Sequence, residues 1–330
     1  MNEIDFVIPW VDGSDPAWRQ EFAAARHLAG EDASVARYRD WETLRYWFRG
    51  VERFAPWVRR VHFVTWGHLP AWLDTTHPKL HVVNHADFLP AEYRPTFNSN
   101  TLMLNLHRIE GLAEQFVAFN DDMFLCRPAA PGHFFRRGLP CDMARLSIPA
   151  PEYFTHTILN DRILIAARYK THEVLRRHPG KWFSPRYGVA NLAKTLLLAP
   201  WSVLPGLHDH HMPQAYLRSS FERAWQIWGG AGLDATCRRP FRTTEDLSEW
   251  LIRYDVLCRG AFSPVSLRDC LLSDLNEATV GRICRTIEQG ACRMICINDS
   301  ASIVEEEAIR RELHTAFERL LPEPSSFERR

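Results

Sequence analysis

Over its first half the chain alternates short apolar runs with stretches whose apolar residues recur at helical spacing. A short run rich in β-branched and aromatic residues reads as a strand, and a period near 3.6 reads as a helix with one face turned inward. By this reading IDFVIPWV (4–11), RVHFVTW (60–66), LHVVNH (80–85) and FVAFNDD (116–122) are strands. DPAWRQEFAAARHLAG (15–30), DWETLRYWFRGVERFAP (40–56) and NSNTLMLNLHRIEGLAEQ (98–115) are helices. In the first helix Asp15 is placed to cap, Pro16 to open and Gly30 to stop it. In the second, Trp41, Leu44, Trp47, Phe48, Val51 and Phe54 make the apolar face.

Strands alternating with helices argue for βα units, hence an α/β fold with a largely parallel sheet. After DMARLSI (142–148) the pattern turns mostly helical and irregular, beginning with HTILNDRILIAARYKTHEVLRRH (156–178), and only RMICIND (293–299) stands out as a further strand. The tail PEPSSFERR (322–330) is expected to be loose. NLAKTLLLAPWSVLPGL (191–207) is the most apolar later stretch, but Lys194, Pro200 and Pro205 interrupt it and it is too short for a spanning helix. Contact with a membrane surface stays open for it.

With 330 residues the chain suits one to two domains. Lysine plus arginine equals aspartate plus glutamate at 40 each, so whole-chain charge offers no long-range attraction to nucleic acid, and phosphate binding has to be local. MNEIDFVIPW has no basic segment followed by an apolar block, so a cytoplasmic protein is expected. Cysteines at 126, 141, 237, 258, 270, 284, 292 and 296 form no CxxC pair, which suggests reduced, mostly buried thiols.

Carboxylates stand where two predicted strands end, Asp12 with Asp15 and Asp121 with Asp122. In open α/β sheets ligands bind at those ends, and paired carboxylates there suit a hard cation on a nucleotide diphosphate. Asp15 as a helix cap and Asp12 as a turn residue before Gly13 are equally good readings. The Asp121–Asp122 pair is harder to explain that way, because ionised carboxylates beside an apolar strand need a cation or donors. Arg45, Arg49 and Arg53 read as a solvated stripe paired with Glu42 and Glu52, and only Arg45 is placed to reach a phosphate. HDHHMP (208–213) offers His208, His210 and His211, without the companions of a zinc site but with room for a general base. FRTTED (241–246) looks like a capping-box helix start, Thr243 to Asp246, with Arg242 just outside. CINDS (296–300) again ends an apolar run in Asn298 and Asp299.

IDFVIPWVDGSDPAW, RDWETLRYWFRGVERFAPWVRRVHFVTWG, HRIEGLAEQFVAFNDDMF, HHMPQAYLR and RMICINDS follow one another in this order. Together they resemble the motif regions of the Stealth family, hexose-1-phosphate transferases of bacterial capsule and exopolysaccharide synthesis related to the animal enzyme that places GlcNAc-1-phosphate on lysosomal glycoproteins. The resemblance implies a Rossmann-like fold similar to nucleotide-sugar transferases, with residues 1–150 as the nucleotide-sugar-binding core. Residues 151–330 would form a mainly helical portion completing one integrated catalytic unit. It implies that a sugar 1-phosphate moves from a nucleotide sugar, UDP-linked hexose or N-acetylhexosamine, to a hydroxyl of a growing polysaccharide, releasing a nucleoside monophosphate.

By the same resemblance His211, Arg242, Asp122 and Asp299 are catalytic, and Asp121, Asp122 and Asp299 hold Mg2+ or Mn2+. Asp12, Asp15, Arg45, His107, Arg108, Asn120 and Asn298 are expected to bind substrate, with His107 and Arg108 on motif positions of less defined role. The sequence departs from the pattern at Asp12, where the animal relatives have Asn, at Trp66, which replaces an Asn, and at Met103, where many members carry Glu. The expected partners are the donor and a glycan acceptor, not nucleic acid. Peripheral attachment at the inner membrane, capsule-assembly partners and a homo-oligomeric state are left open. A metal-dependent glycosyltransferase releasing UDP and a non-catalytic glycan-binding protein are the alternatives.

Overall fold

The computed structural model describes residues 3–29, 39–149, 155–300 and 303–329. Its central sheet is built from β1 (Ile4–Trp10), β2 (Val61–Thr65), β3 (Leu80–Asn84) and β4 (Gln115–Ala118), parallel neighbours in the order β3-β2-β1-β4. In register, Val7 pairs with His62 of β2 on one side and with Ala118 of β4 on the other. β1 reads as an unbroken apolar run because both its faces are covered: Phe6 and Ile8 enter one core cluster and Val7 the other. Helices Leu44–Phe54, Val280–Glu288 and Glu306–Leu320 contribute to the first cluster, and Arg218–Trp228 and Trp250–Cys258 to the second. The result is a Rossmann-like α/β sheet with helices on both faces and a mostly helical second half.

The remaining strands tie the two halves of the chain together. β5 (Met123–Leu125) leaves the central sheet directly after β4, while β6 (Phe135–Arg136) and β7 (Leu139–Asp142) start a small sheet. β8 (Gln214–Leu217) returns antiparallel to β4, with Ala118 opposite Gln214. β9 (Ser263–Pro264) joins β7, and β10 (Cys270–Asp274) and β11 (Met294–Asn298) complete a sheet of order β10-β11-β5. Strand order therefore reverses between β1 and β4, and the carboxyl ends of those strands flank the crevice where such sheets bind ligands.

Several expectations are corrected. The helix expected over 98–115 is only Ser99–Asn105, followed by a 3-10 turn, Leu106–Arg108; Gly111 sits at φ +72° and Gln115 already belongs to β4. The stretch 156–178 is two helices, Thr155–Arg168 and Thr171–Arg177, parted where Lys170 bridges to Val203. FRTTED starts no helix. Thr243 N does donate to Asp246 Oδ2 at 3.2 Å, as in a capping box, but Asp246 is buried and also accepts from Asn98 Nδ2 at 2.7 Å and Arg239 Nη1 at 3.2 Å. Those bonds, the one from Asn98 reaching far along the chain, fix a turn, and the next helix begins at Trp250.

The tail is not loose: Phe327 is buried, and Glu328 accepts from Arg49 Nε at 2.8 Å. Arg49 is accordingly a buried tie to Glu318 and Glu328, not part of a solvated stripe. The expected stop at Gly30 lies outside the described residues. All eight cysteines are free thiols, and all but Cys270 are buried.

Candidate active site

At the end of β4 the chain leaves the sheet as Asn120, and Asp121 and Asp122 form the turn into β5, closed by Met123 N donating to Asn120 O at 3.2 Å. Asp122 is clamped from the other sheet, its carbonyl accepting from Ile297 N at 2.9 Å. Its side chain faces His211: Asp122 Oδ2 lies 3.8 Å from His211 Nε2 and accepts from the Cys296 thiol at 3.4 Å. The ligand-capable atoms of Asp122, His211 and Cys296 all lie within 4.8 Å of one another. Asp122 Oδ1 is buried with no hydrogen-bond partner.

Asp121 keeps contact with solvent, but the packed walls of the recess disfavour its charge, and Asp122, Asp40 and Asp299 add repulsion. Its pKa is pushed up to about 7. Asp299, at the end of β11, is also raised by burial, against the opposing pull of Arg39, whose Nη1 donates to Asp299 Oδ1 at 3.0 Å. Burial raises Asp40 too, and the charge of Asp12 acts in the same direction. The same environment pushes the Cys296 thiol well up, so it is a neutral donor to Asp122. At His211 burial opposes the cation, but Asp122 and then Glu249 outweigh it, and its pKa rises. Glu249 is itself raised by burial while Arg242 and His211 favour its charge.

A buried network decides which histidine of HDHHMP faces this recess. Arg253 grips Asp142 with Nε at 2.7 Å and Nη2 at 2.9 Å, and His210 Nε2 lies 3.3 Å from Asp142 Oδ1. Arg253 Nη1 also holds His208 O at 3.0 Å, and Tyr254 donates to Asp209 Oδ1 at 2.5 Å. Burial lowers His208 to about 3 and lowers His210 as well. His211, in the left-handed region at φ +45°, is turned to Asp122.

The structure thus gathers Asp121, Asp122, His211 and Asp299, with Arg242 in electrostatic reach of His211 and Glu249. Arg242 donates to Ser99 Oγ at the start of helix Ser99–Asn105. The other predicted residues sit differently. Asp12 Oδ1 accepts from Ser14 N at 2.8 Å, and Asp15 Oδ1 caps its helix by accepting from Trp18 N at 2.8 Å. The Arg45 guanidinium stacks on Trp72, and Asn298 Nδ2 donates to Asp274 Oδ1 at 2.9 Å. His107 packs against Phe221 and Trp225 with its pKa lowered by burial to about 4, and Arg108 lies over Trp225 and donates to Asn105.

Sequence reading missed Arg39, Asp40, Glu249 and Cys296. Arg39 and Asp40 open the RDWE segment that leads into helix Leu44–Phe54, a usable signal, whereas nothing local marks Glu249.

Fold and site define an α/β protein of the doubly wound class with its polar cluster at the ligand-binding edge of the sheet. The chain belongs to the Stealth family: Stealth protein conserved region 1 matches residues 2–28, conserved region 2 matches 37–141 and conserved region 4 matches 285–330. It is 38% identical to the capsular polysaccharide phosphotransferase WcwK of Streptococcus pneumoniae over 100% of both chains. It is 37% identical to the receptor polysaccharide phosphotransferase WefC of Streptococcus oralis, over 99% of this chain and 100% of that one. With the exopolysaccharide phosphotransferase cps2G of Lactiplantibacillus plantarum it shares 38% identity over 99% and 96%. The solved galactosyltransferase LgtC overlays 94% of this chain and 95% of its own at TM-score 0.39 and 10% identity, too slight a likeness to bear on the fold, which rests on the strand order.

Proposed function

We propose that the protein transfers a sugar 1-phosphate from a nucleotide sugar to a hydroxyl of a capsular or exopolysaccharide chain. The end-to-end similarity to polysaccharide phosphotransferases supports the reaction class. The observation that carries the mechanism is His211 Nε2 at 3.8 Å from Asp122 Oδ2, at the switch point of the sheet. The acceptor hydroxyl oxygen attacks the sugar-linked phosphorus as its proton passes to His211 Nε2. The bond from that phosphorus to the bridging oxygen breaks, its electron pair leaves with the nucleoside monophosphate, and a phosphodiester remains. An imidazole suits this task near neutral pH, and His211 is the histidine of HDHHMP turned to Asp122. Arg242 offsets charge on the transferred phosphate.

The carboxylates fit a divalent cation. Asp122 Oδ1 is buried without a donor, and Asp121 is surrounded by other acids. Such oxygens suit Mg2+ or Mn2+, whereas the Cys296 thiol, held neutral, is a poor ligand for either. Asp121 and Asp122 would hold the ion, and Asp299 is engaged by Arg39. A cation bound there neutralises the diphosphate of the donor.

Product analysis tests the reading. Incubating a panel of UDP-, GDP- and CMP-linked sugars with a glycan acceptor is expected to release the nucleoside monophosphate, in a reaction stopped by EDTA. Release of UDP with a glycosidic product would place attack at the sugar carbon instead. Glycan binding with no turnover of any donor would make the protein a binder.

A further inference from the structure

Helix Val189–Leu198 is apolar on both sides. Leu192 and Leu198 pack on the core, and buried Thr195 accepts from Leu146 N at 3.4 Å through its Oγ1. On the opposite side Val189, Leu196 and Leu197, spaced as i, i+7 and i+8, are 83%, 59% and 72% exposed. The chain that follows adds Trp201 at 57% and Val203 at 54%. A surface helix ordinarily turns polar residues to water on that side, and a contiguous exposed apolar face marks a contact site.

Charge says what kind of contact. Between Arg162 and Val203 the sequence has eight lysines and arginines against the single acid Glu173, in a chain balanced at 40 and 40 overall. Lys170 pairs with Val203 across an isolated bridge, and Thr171 N donates to Ser202 O at 3.3 Å. The exposed cations Lys170, Arg176 and Arg177 therefore belong to the element bonded to the apolar loop, and exposed Lys194 flanks the helix stripe. Apolar side chains with a tryptophan, bordered by cations, are the composition of a surface that lies in the headgroup region of a bilayer. An acidic glycan would meet the cations but has no use for Leu196, Leu197 and Trp201. A second copy of the chain, related by a twofold, would bring the same cations face to face.

We propose that this surface docks the protein on an anionic lipid bilayer. It is tied to the candidate site through residues 145–147. Leu146 bonds Thr195 of the docking helix, Ser147 N donates to Gly206 O at 3.0 Å, and Arg145 O accepts from His208 N at 3.0 Å. Docking thus holds the loop that carries His211 beside the membrane. Among the described residues no helix is long and apolar enough to cross a membrane.

Co-sedimentation of the full chain with vesicles tests this without requiring turnover, so its outcome does not depend on the reaction proposed above. The chain is expected to sediment with phosphatidylcholine vesicles containing phosphatidylglycerol and much less with phosphatidylcholine alone. The double substitution Leu196→Glu, Leu197→Glu weakens partitioning by at least about tenfold. Lys170→Gln and Lys194→Gln each weaken it by roughly fivefold, and added salt has the same effect. All four positions are exposed, so the unfolding temperature stays at the wild-type value. No sedimentation with anionic vesicles, or equal sedimentation of the wild type and the double variant, overturns the proposal. So does a wild-type dimer that the double variant dissociates while neither binds lipid, which would assign the surface to a second copy.

Discussion

Between its ordinary value of 3.8 and the value of about 7 that the recess imposes, Asp121 is protonated in the folded chain and ionised in the unfolded one. The folded state binds the extra proton in that window, so the contribution of Asp121 to stability falls as pH rises through it. Asp121→Asn removes the titration. Allowing for the solvent that reaches this side chain, we expect stabilisation on the order of 1 kcal/mol above pH 7, or roughly 2 °C in unfolding temperature, fading below pH 4. Transfer activity is expected to fall in the same variant, a stability gain at the expense of function. Thermal melts at pH 4 and pH 8 check the sign; destabilisation at pH 8 would mean that Asp121 is held by donors. At His211 the shift runs the other way in charge: the Asp122 carboxylate raises its pKa, so the cation persists to higher pH than in a free imidazole and the base form is lost as pH falls. His211→Ala is expected to lower kcat by roughly 10²–10⁴ and to flatten the acid limb of the kcat/KM profile by one proton. Spacing in HDHHMP treats its histidines alike. The family resemblance points to His211, and the fold commits His210 to Asp142 while turning His211 to Asp122.

That commitment is a property of the loop, not of one side chain. Arg253 and Asp142 are both buried, and together they hold His208, Asp209 and His210 in place. Arg253→Ala leaves the Asp142 carboxylate buried without its main counter-charge, and a loss of about 3–5 kcal/mol in urea unfolding is expected. Burial weighs against this carboxylate, but Arg253 and His210 hold its pKa well below the usual range. The C-terminal tail is the second such element. Deleting residues 322–330 removes Phe327 from the core and Glu328 from Arg49, and should lower stability by at least about 3 kcal/mol. Neither element was legible in sequence, because each depends on partners far along the chain. PEPSSFERR has the composition of a loose end, and FRTTED has the local chemistry of a helix start. The distant Arg49 overrides the first by holding Glu328, and the distant amide of Asn98, with nearby Arg239, overrides the second by drawing off Asp246.

At the scale of the molecule, the parallel core was legible because β1 to β4 are short runs rich in apolar, β-branched and aromatic residues, with an amphipathic helix, Leu44–Phe54, between β1 and β2, a pattern local to each segment. The strands that knit the second half to the first were harder to read. β8 has only the four residues QAYL, and β10 alternates too weakly to separate from a loop. Yet β8 and β11 are what carry His211 and Asp299 to the Asp121–Asp122 turn, so the site exists only in the assembled chain. Its excess of carboxylate makes a last prediction about the whole fold. A divalent cation held at Asp121 and Asp122, as proposed above, would bind the folded chain and not the unfolded one, so saturation with Mn2+ about a hundredfold above its Kd should add about 2.7 kcal/mol, roughly 5 °C in unfolding temperature. Protons compete for the same oxygen at Asp121, whose pKa is about 7 before the ion arrives. The shift should therefore be larger at pH 8 than at pH 6 and should vanish in Asp122→Asn. Differential scanning calorimetry at the two pH values, with Mn2+ or EDTA, measures it directly. The same shift at both pH values would place the ion away from Asp121, and no shift at either would remove the cation from this recess.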